Sequence, residues 1–92
     1  MAMKEVVVEV IGVDPPCGRC QATYKNVGEA ASALKAENIN VKILKLNVQS
    51  KEIIAKYGVL VAPALAINNI VKVIGRVPDK KEVERLIRAT VS

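Results

Sequence analysis

The run Val6-Val7-Val8-Glu9-Val10-Ile11, then Gly12, then Cys17-Gly18-Arg19-Cys20 at the head of a helical repeat, sets the architecture of this chain. The β-branched run reads as a strand apolar on nearly both faces, and such strands lie in the middle of a covered sheet. Gly12 to Gly18, with Pro15-Pro16, reads as a loop. From Arg19 to Glu37 the apolar positions Tyr24, Val27, Ala31 and Leu34 recur at helical spacing. Asn38 and Asn40 suit the exit of that helix.

Outward from this unit, Val41 to Val48 predicts a second strand, with Leu44, Leu46 and Val48 on one face and Val41 and Ile43 on the other. Ser50 caps a short helix whose Ile53, Ile54 and Tyr57 are expected to face inward, and Gly58 ends it. After Ala62-Pro63-Ala64, the segments Leu65-Ala66-Ile67 and Ile70 to Ile74 form a hairpin around Asn68-Asn69, because Asn tolerates the positive φ of a two-residue turn. Asp79 and Glu82 form a capping box that opens a last helix, whose buried stripe is Val83, Leu86, Ile87 and Val91. The order is β-α-β-α-β-β-α. The first β-α-β implies parallel strands, and the hairpin adds an antiparallel edge. The expected class is α/β, a four-stranded mixed sheet between helical layers, in a single domain over residues 1–92.

Composition narrows the chemistry. With 51% hydrophobic and 25% charged residues among 92, disorder is excluded. Two Tyr and no Phe or Trp leave an aliphatic core, and the lack of any His removes every mechanism that needs an imidazole. The net charge of +5 comes from scattered residues such as Lys25, Lys42, Lys56 and Arg88, with only Lys80-Lys81 adjacent. Without a basic cluster or stacking aromatics, neither nucleic acid nor a membrane is expected as partner. The opening residues carry Glu5 and Glu9 and do not read as a secretory leader, which predicts a cytoplasmic protein. In that reducing compartment two cysteines point to metal or redox chemistry rather than to a permanent bridge.

Position argues for redox chemistry. A thiolate at a helix N-terminus meets free backbone N–H groups and the positive end of the macrodipole. Cys17, at the first exposed position, is expected to be the nucleophile. Cys20, one turn inward, is expected to be the resolving thiol. Arg19 either adds a favourable charge or points into solvent. Competing readings are two inert buried thiols, or a soft-metal carrier of the Cu(I) type held by two thiolates. A tetrahedral zinc site lacks its four ligands within one chain, so no metal is assigned. Pro63 either opens the third strand, where a missing N–H is tolerated, or belongs to a cis Ala62-Pro63 bond packed against the cysteines.

These residues resemble the thioredoxin superfamily, and most closely its small thioredoxin/glutaredoxin-like redox-active disulfide proteins. The resemblance covers nearly the whole chain. It rests on Cys17-Gly18-Arg19-Cys20 after the first strand, Tyr57-Gly58-Val59 followed by Ala62-Pro63-Ala64-Leu65, and Gly75-Arg76-Val77-Pro78 before the final helix. It implies a thioredoxin-like fold, a cis Pro63 facing the cysteines, and an Ala62 backbone that pairs with an extended substrate segment. Gly18 and Arg19 complete the implied substrate contacts, and no cofactor is implied. The implied activity is thiol–disulfide exchange with protein disulfides, with a reductase or a small thiol as reductant. Two positions depart from the family: Pro16 stands where thioredoxins carry Trp, and Ile11 where they bury a carboxylate. A small ferredoxin-like metal carrier would end in a strand, and a non-catalytic interaction module would tolerate loss of both cysteines.

Overall fold

The computed structural model describes residues 4–13 and 18–91. Its elements are β1 (Lys4–Gly12), α1 (Gly18–Leu34) followed by a 3₁₀ turn (Lys35–Glu37), β2 (Ile39–Asn47), α2 (Lys51–Tyr57), β3 (Ala64–Ile67), β4 (Ile70–Ile74) and α3 (Lys80–Val91). The four strands form one sheet in the order β2-β1-β3-β4. β1 runs parallel to β2 and antiparallel to β3, and β3 pairs antiparallel with β4. This is the mixed α/β sheet that the element order demands. The last described element is the helix α3.

Alternation along β1 builds two cores. Val6, Val8 and Val10 face α1 and α3, packing with Val27, Ala30, Leu34, Val83 and Ile87. Ile11 faces α2 and packs with Ile53, Ala64 and Ala66, with Tyr57 and Leu46 at the margin. A fully buried Leu or Ile contributes about 1.5–3 kcal/mol, so these aliphatic contacts replace the missing aromatics.

Local chemistry holds the ends of the elements. Ser50 Oγ accepts the N–H of Ile53 at 3.2 Å, and Gly58, with φ 81, closes α2. Asn38 ends the first helical segment in the left-handed region with φ 60. In the hairpin Asn68 and Asn69 both take positive φ, and the Asn68 side chain accepts the N–H of Val7 at 2.9 Å.

Four expectations need correction. In α1 the buried residues are Cys20, Thr23, Val27, Ala30 and Leu34, whereas Tyr24 remains 39% exposed. Thr23 Oγ1 donates to the Arg19 carbonyl at 2.9 Å, so its hydroxyl is satisfied inside the core and the stripe turns toward it. Tyr24 lies outside, its ring under the Lys45 ammonium at 4.9 Å. On α2, Ile54 is 42% exposed because only Ile53 and Tyr57 point at the sheet. At α3, Asp79 accepts the N–H of Glu82 at 2.8 Å, but Glu82 turns away to Arg76, whose guanidinium offers two charged hydrogen bonds in place of one backbone N–H. Finally, Gly12 and Gly18 belong to β1 and α1 rather than to the loop between them.

Candidate functional site

β1 and α1 meet at the end of the sheet where β3 begins. Gly18 and Arg19, the first two residues of α1, are exposed; Cys20, the third, turns inward and is 4% exposed. Cys17 lies outside the described residues, as do Asp14, Pro15 and Pro16. Cys20 Sγ packs on the backbone of Gly12: a methyl group on Gly12 would stand 3.0 Å from the sulfur and 3.2 Å from Cys20 Cβ.

Arg19 does not wave in solvent. Its Nη2 donates to the Gly75 carbonyl at 2.7 Å, and the Gly75 N–H donates to the Pro63 carbonyl at 2.8 Å. Two consecutive hydrogen bonds thus link the first turn of α1 to the loop that carries Pro63. Gly75 suits this place because it takes φ 74 and has Val61 against the side where a Cβ would project, at 3.3 Å. Pro63 is buried, Ala62 is half-buried, and the bond between them is cis, as the resemblance implies. The same segment is tied to α1 a second time, by Asn26 Nδ2 donating to the Pro78 carbonyl at 2.9 Å.

Flanking this arrangement are exposed apolar side chains: Val13 after β1, and Val59 and Val61 before Pro63, with Val59 88% exposed. On the far side of Gly75, Arg76 makes a bidentate pair with Glu82, and that hydrogen bond holds the Glu82 carboxyl below the ordinary carboxylate value. The loop entering α3 is therefore braced at Gly75, at Arg76 and at Pro78.

The sequence pattern does not reveal Glu9. Its residue is 5% exposed, on the α2 face of β1, where the carboxylate accepts the Tyr57 hydroxyl and lies 3.4 Å from Lys56 Nζ. Burial, and next the bond to Glu9, push the Tyr57 hydroxyl above its ordinary value. The strand pattern marks Glu9 only as an interruption; its parity with Ile11 is the one signal that it faces inward. Cys20 lies on the opposite, α1 face, against Gly12. Glu9 therefore braces α2 against the sheet, and Ile11 packs in the α2 core.

Chemically, the arrangement offers a sheltered sulfur in the first turn of a helix, and a guanidinium from the same turn hydrogen-bonded to the segment that bonds back to Pro63. A sequence-family model described as a thioredoxin domain matches residues 6–88, from within β1 to within α3. No curated protein matches the sequence at a significant level. With that match spanning nearly the whole chain, and a mixed sheet and helices in the corresponding order, the chain belongs to the thioredoxin-domain family.

Proposed function

We propose that the protein is a thiol–disulfide oxidoreductase working on protein disulfides in a reducing, cytoplasmic setting. Cys17 is the nucleophile and Cys20 the resolving thiol. The Cys17 thiolate attacks one sulfur of a substrate disulfide, forming a mixed disulfide and releasing the other substrate sulfur as thiolate. The Cys20 thiolate then attacks Cys17, forming the Cys17–Cys20 bond and releasing the second substrate thiolate. Two electrons pass from the protein dithiol to the substrate. A partner reductase or a small thiol returns them.

The observation that carries this reading is the pair of hydrogen bonds from Arg19 to Gly75 and from Gly75 to Pro63. They hold the head of the cysteine helix beside the Pro63 loop, so a substrate strand pairing with Ala62 would run past the motif. Gly18 and Arg19, exposed at the helix start, are the motif residues open to such a strand.

Trapping tests the assignment. Cys20→Ser should accumulate a covalent mixed disulfide through Cys17, seen as a mass adduct that dithiothreitol removes. Cys17→Ser should accumulate none. Equal trapping by both variants, or by neither, would defeat the roles given.

A further inference from the structure

We propose that Glu9 is a positioning residue for the segment that meets the substrate: its carboxylate fastens the last turn of α2, from which Val59–Ala62 sets out. This deepens the redox reading above and rests on it. Glu9 is buried on the α2 face of β1, with Leu44 and Ala66 opposite it on the neighbouring strands. Such neighbours suit an aliphatic side chain, and Ile11 supplies one two residues further on. Taking a carboxylate out of water is costly, and packed apolar residues in place of a buried ion pair are often as stable or more so. Stability alone does not call for the charge. What a carboxylate adds is direction, and Glu9 directs it at one turn. It accepts the Tyr57 hydroxyl, and both its oxygens lie within 3.5 Å of Lys56 Nζ. Lys56 also donates to Asn69 Oδ1 in the turn between β3 and β4.

That turn is one end of a short span. α2 is seven residues long, too short to keep its shape without tertiary contacts. The Gly58 N–H closes it on the Ile54 carbonyl, and beyond it Val59, Leu60, Val61 and Ala62 make no backbone hydrogen bond among the described residues. An unbonded stretch of this kind suits pairing with a substrate strand at Ala62. Its placement is set at its two ends. Pro63 accepts the Gly75 N–H at 2.8 Å, and Tyr57 holds to Glu9. Between them Leu60 touches the α2 core, while Val59 and Val61 stay exposed. Without the Glu9 bonds the Tyr57 end is released, and an arriving strand must order a looser segment. That ordering cost falls on binding and not on the exchange between sulfurs.

The test follows turnover with dithiothreitol as reductant and two probe disulfides. One is a peptide closed by a single internal disulfide, which has a backbone to pair; the other is hydroxyethyl disulfide, which has none. Glu9→Leu should raise the KM for the peptide about fivefold with kcat unchanged, and should turn over the small disulfide at the wild-type level. Glu9→Gln, whose amide oxygen still accepts the Tyr57 hydroxyl, should restore the peptide KM. Apart from activity, the backbone amide order parameters of Val59–Val61 should lie near about 0.85 in wild type and fall below about 0.6 in Glu9→Leu. The proposal is overturned by a folded Glu9→Leu whose peptide KM rises less than threefold, or by an equal loss with both disulfides. A Glu9→Gln as impaired as Glu9→Leu, or order parameters that do not change, overturns it as well. If Glu9→Leu does not fold, Tyr57→Phe, which removes the hydroxyl donor alone, is read in its place against the same thresholds. Wild type that turns over neither disulfide overturns the redox reading, a result read from the wild-type arm alone, while the order parameters still test the tether between Glu9 and the segment.

Discussion

Arg19 Nη2 donates to the carbonyl oxygen of Gly75 at 2.7 Å, a hydrogen bond between residues 56 apart in sequence. A residue inside the cysteine motif is thereby fastened to the segment that leads into α3, and through the Gly75 N–H to Pro63. The relative placement of the first turn of α1 and the Pro63 loop rests partly on a side chain whose sequence context suggests a charge beside the thiols, a substrate contact or a solvated surface group, and not this bond.

Arg19→Ala should loosen that loop. The bond is charge-assisted but exposed, so its contribution is about 1 kcal/mol. Amide hydrogen exchange reads it directly: the Gly75 N–H, bonded to the Pro63 carbonyl, should exchange about fivefold faster, while amides of β1 stay at wild-type rates. Unchanged exchange at Gly75 would show that the bond carries no energy.

Tyr57 links stability to alkaline pH. Burial, then the bond to Glu9, raise its hydroxyl above the ordinary 10.0, so folding favours the neutral phenol. A raised value contributes stability that is fully present below pH 10 and is lost as pH climbs through the folded-state value. The Lys56 ammonium, raised first by its bond with Tyr57, acts in the same direction. Tyr57→Phe should cost roughly 1–3 kcal/mol at pH 7, because the buried Glu9 carboxylate loses a donor, and should flatten the decline above pH 10. Urea unfolding at pH 7 and pH 11 measures both effects.

Glu82 provides the acid counterpart. The Arg76 hydrogen bond, and then its charge, hold the carboxyl below 4.5 against the opposing effect of burial. Its contribution is present above pH 4.5 and disappears as pH falls through the lower folded-state value. Because Arg76 is largely exposed, the pair contributes under about 1 kcal/mol and should weaken in salt. Thermal unfolding of Arg76→Gln should show a loss at pH 7 and low salt that shrinks at pH 3 and again in 1 M salt.

Core and surface should separate cleanly on the hairpin strands. Leu65 is fully buried and Ile70 is 58% exposed. Leu65→Ala should destabilise by about 2–5 kcal/mol, and Ile70→Ala by about 0.5 kcal/mol or less. Chemical denaturation of the two variants makes the comparison.

Much of the fold is legible before any coordinates. Ser50, Asn68-Asn69 and Asp79 take their expected caps and turns, since each acts on backbone groups within a few residues. The start of α1 is legible for the same reason, with Gly18, Arg19 and Cys20 in its first turn. Less legible is which side of α1 is buried, because Thr23 looks polar until its hydroxyl is seen bonded to the Arg19 carbonyl.

Sequence alone sets the order of strands and helices and several of their caps and turns, because propensity, periodicity and capping are short-range effects. Tertiary structure decides the rest. Glu9 is buried only because Tyr57 and Lys56 arrive from α2 to meet its charge. Arg19 finds an acceptor only because β4 ends beside it, and Gly12 meets Cys20 only because α1 folds back against β1. In each case a desolvated or crowded group depends on a partner far away in the chain, and no local pattern encodes that meeting.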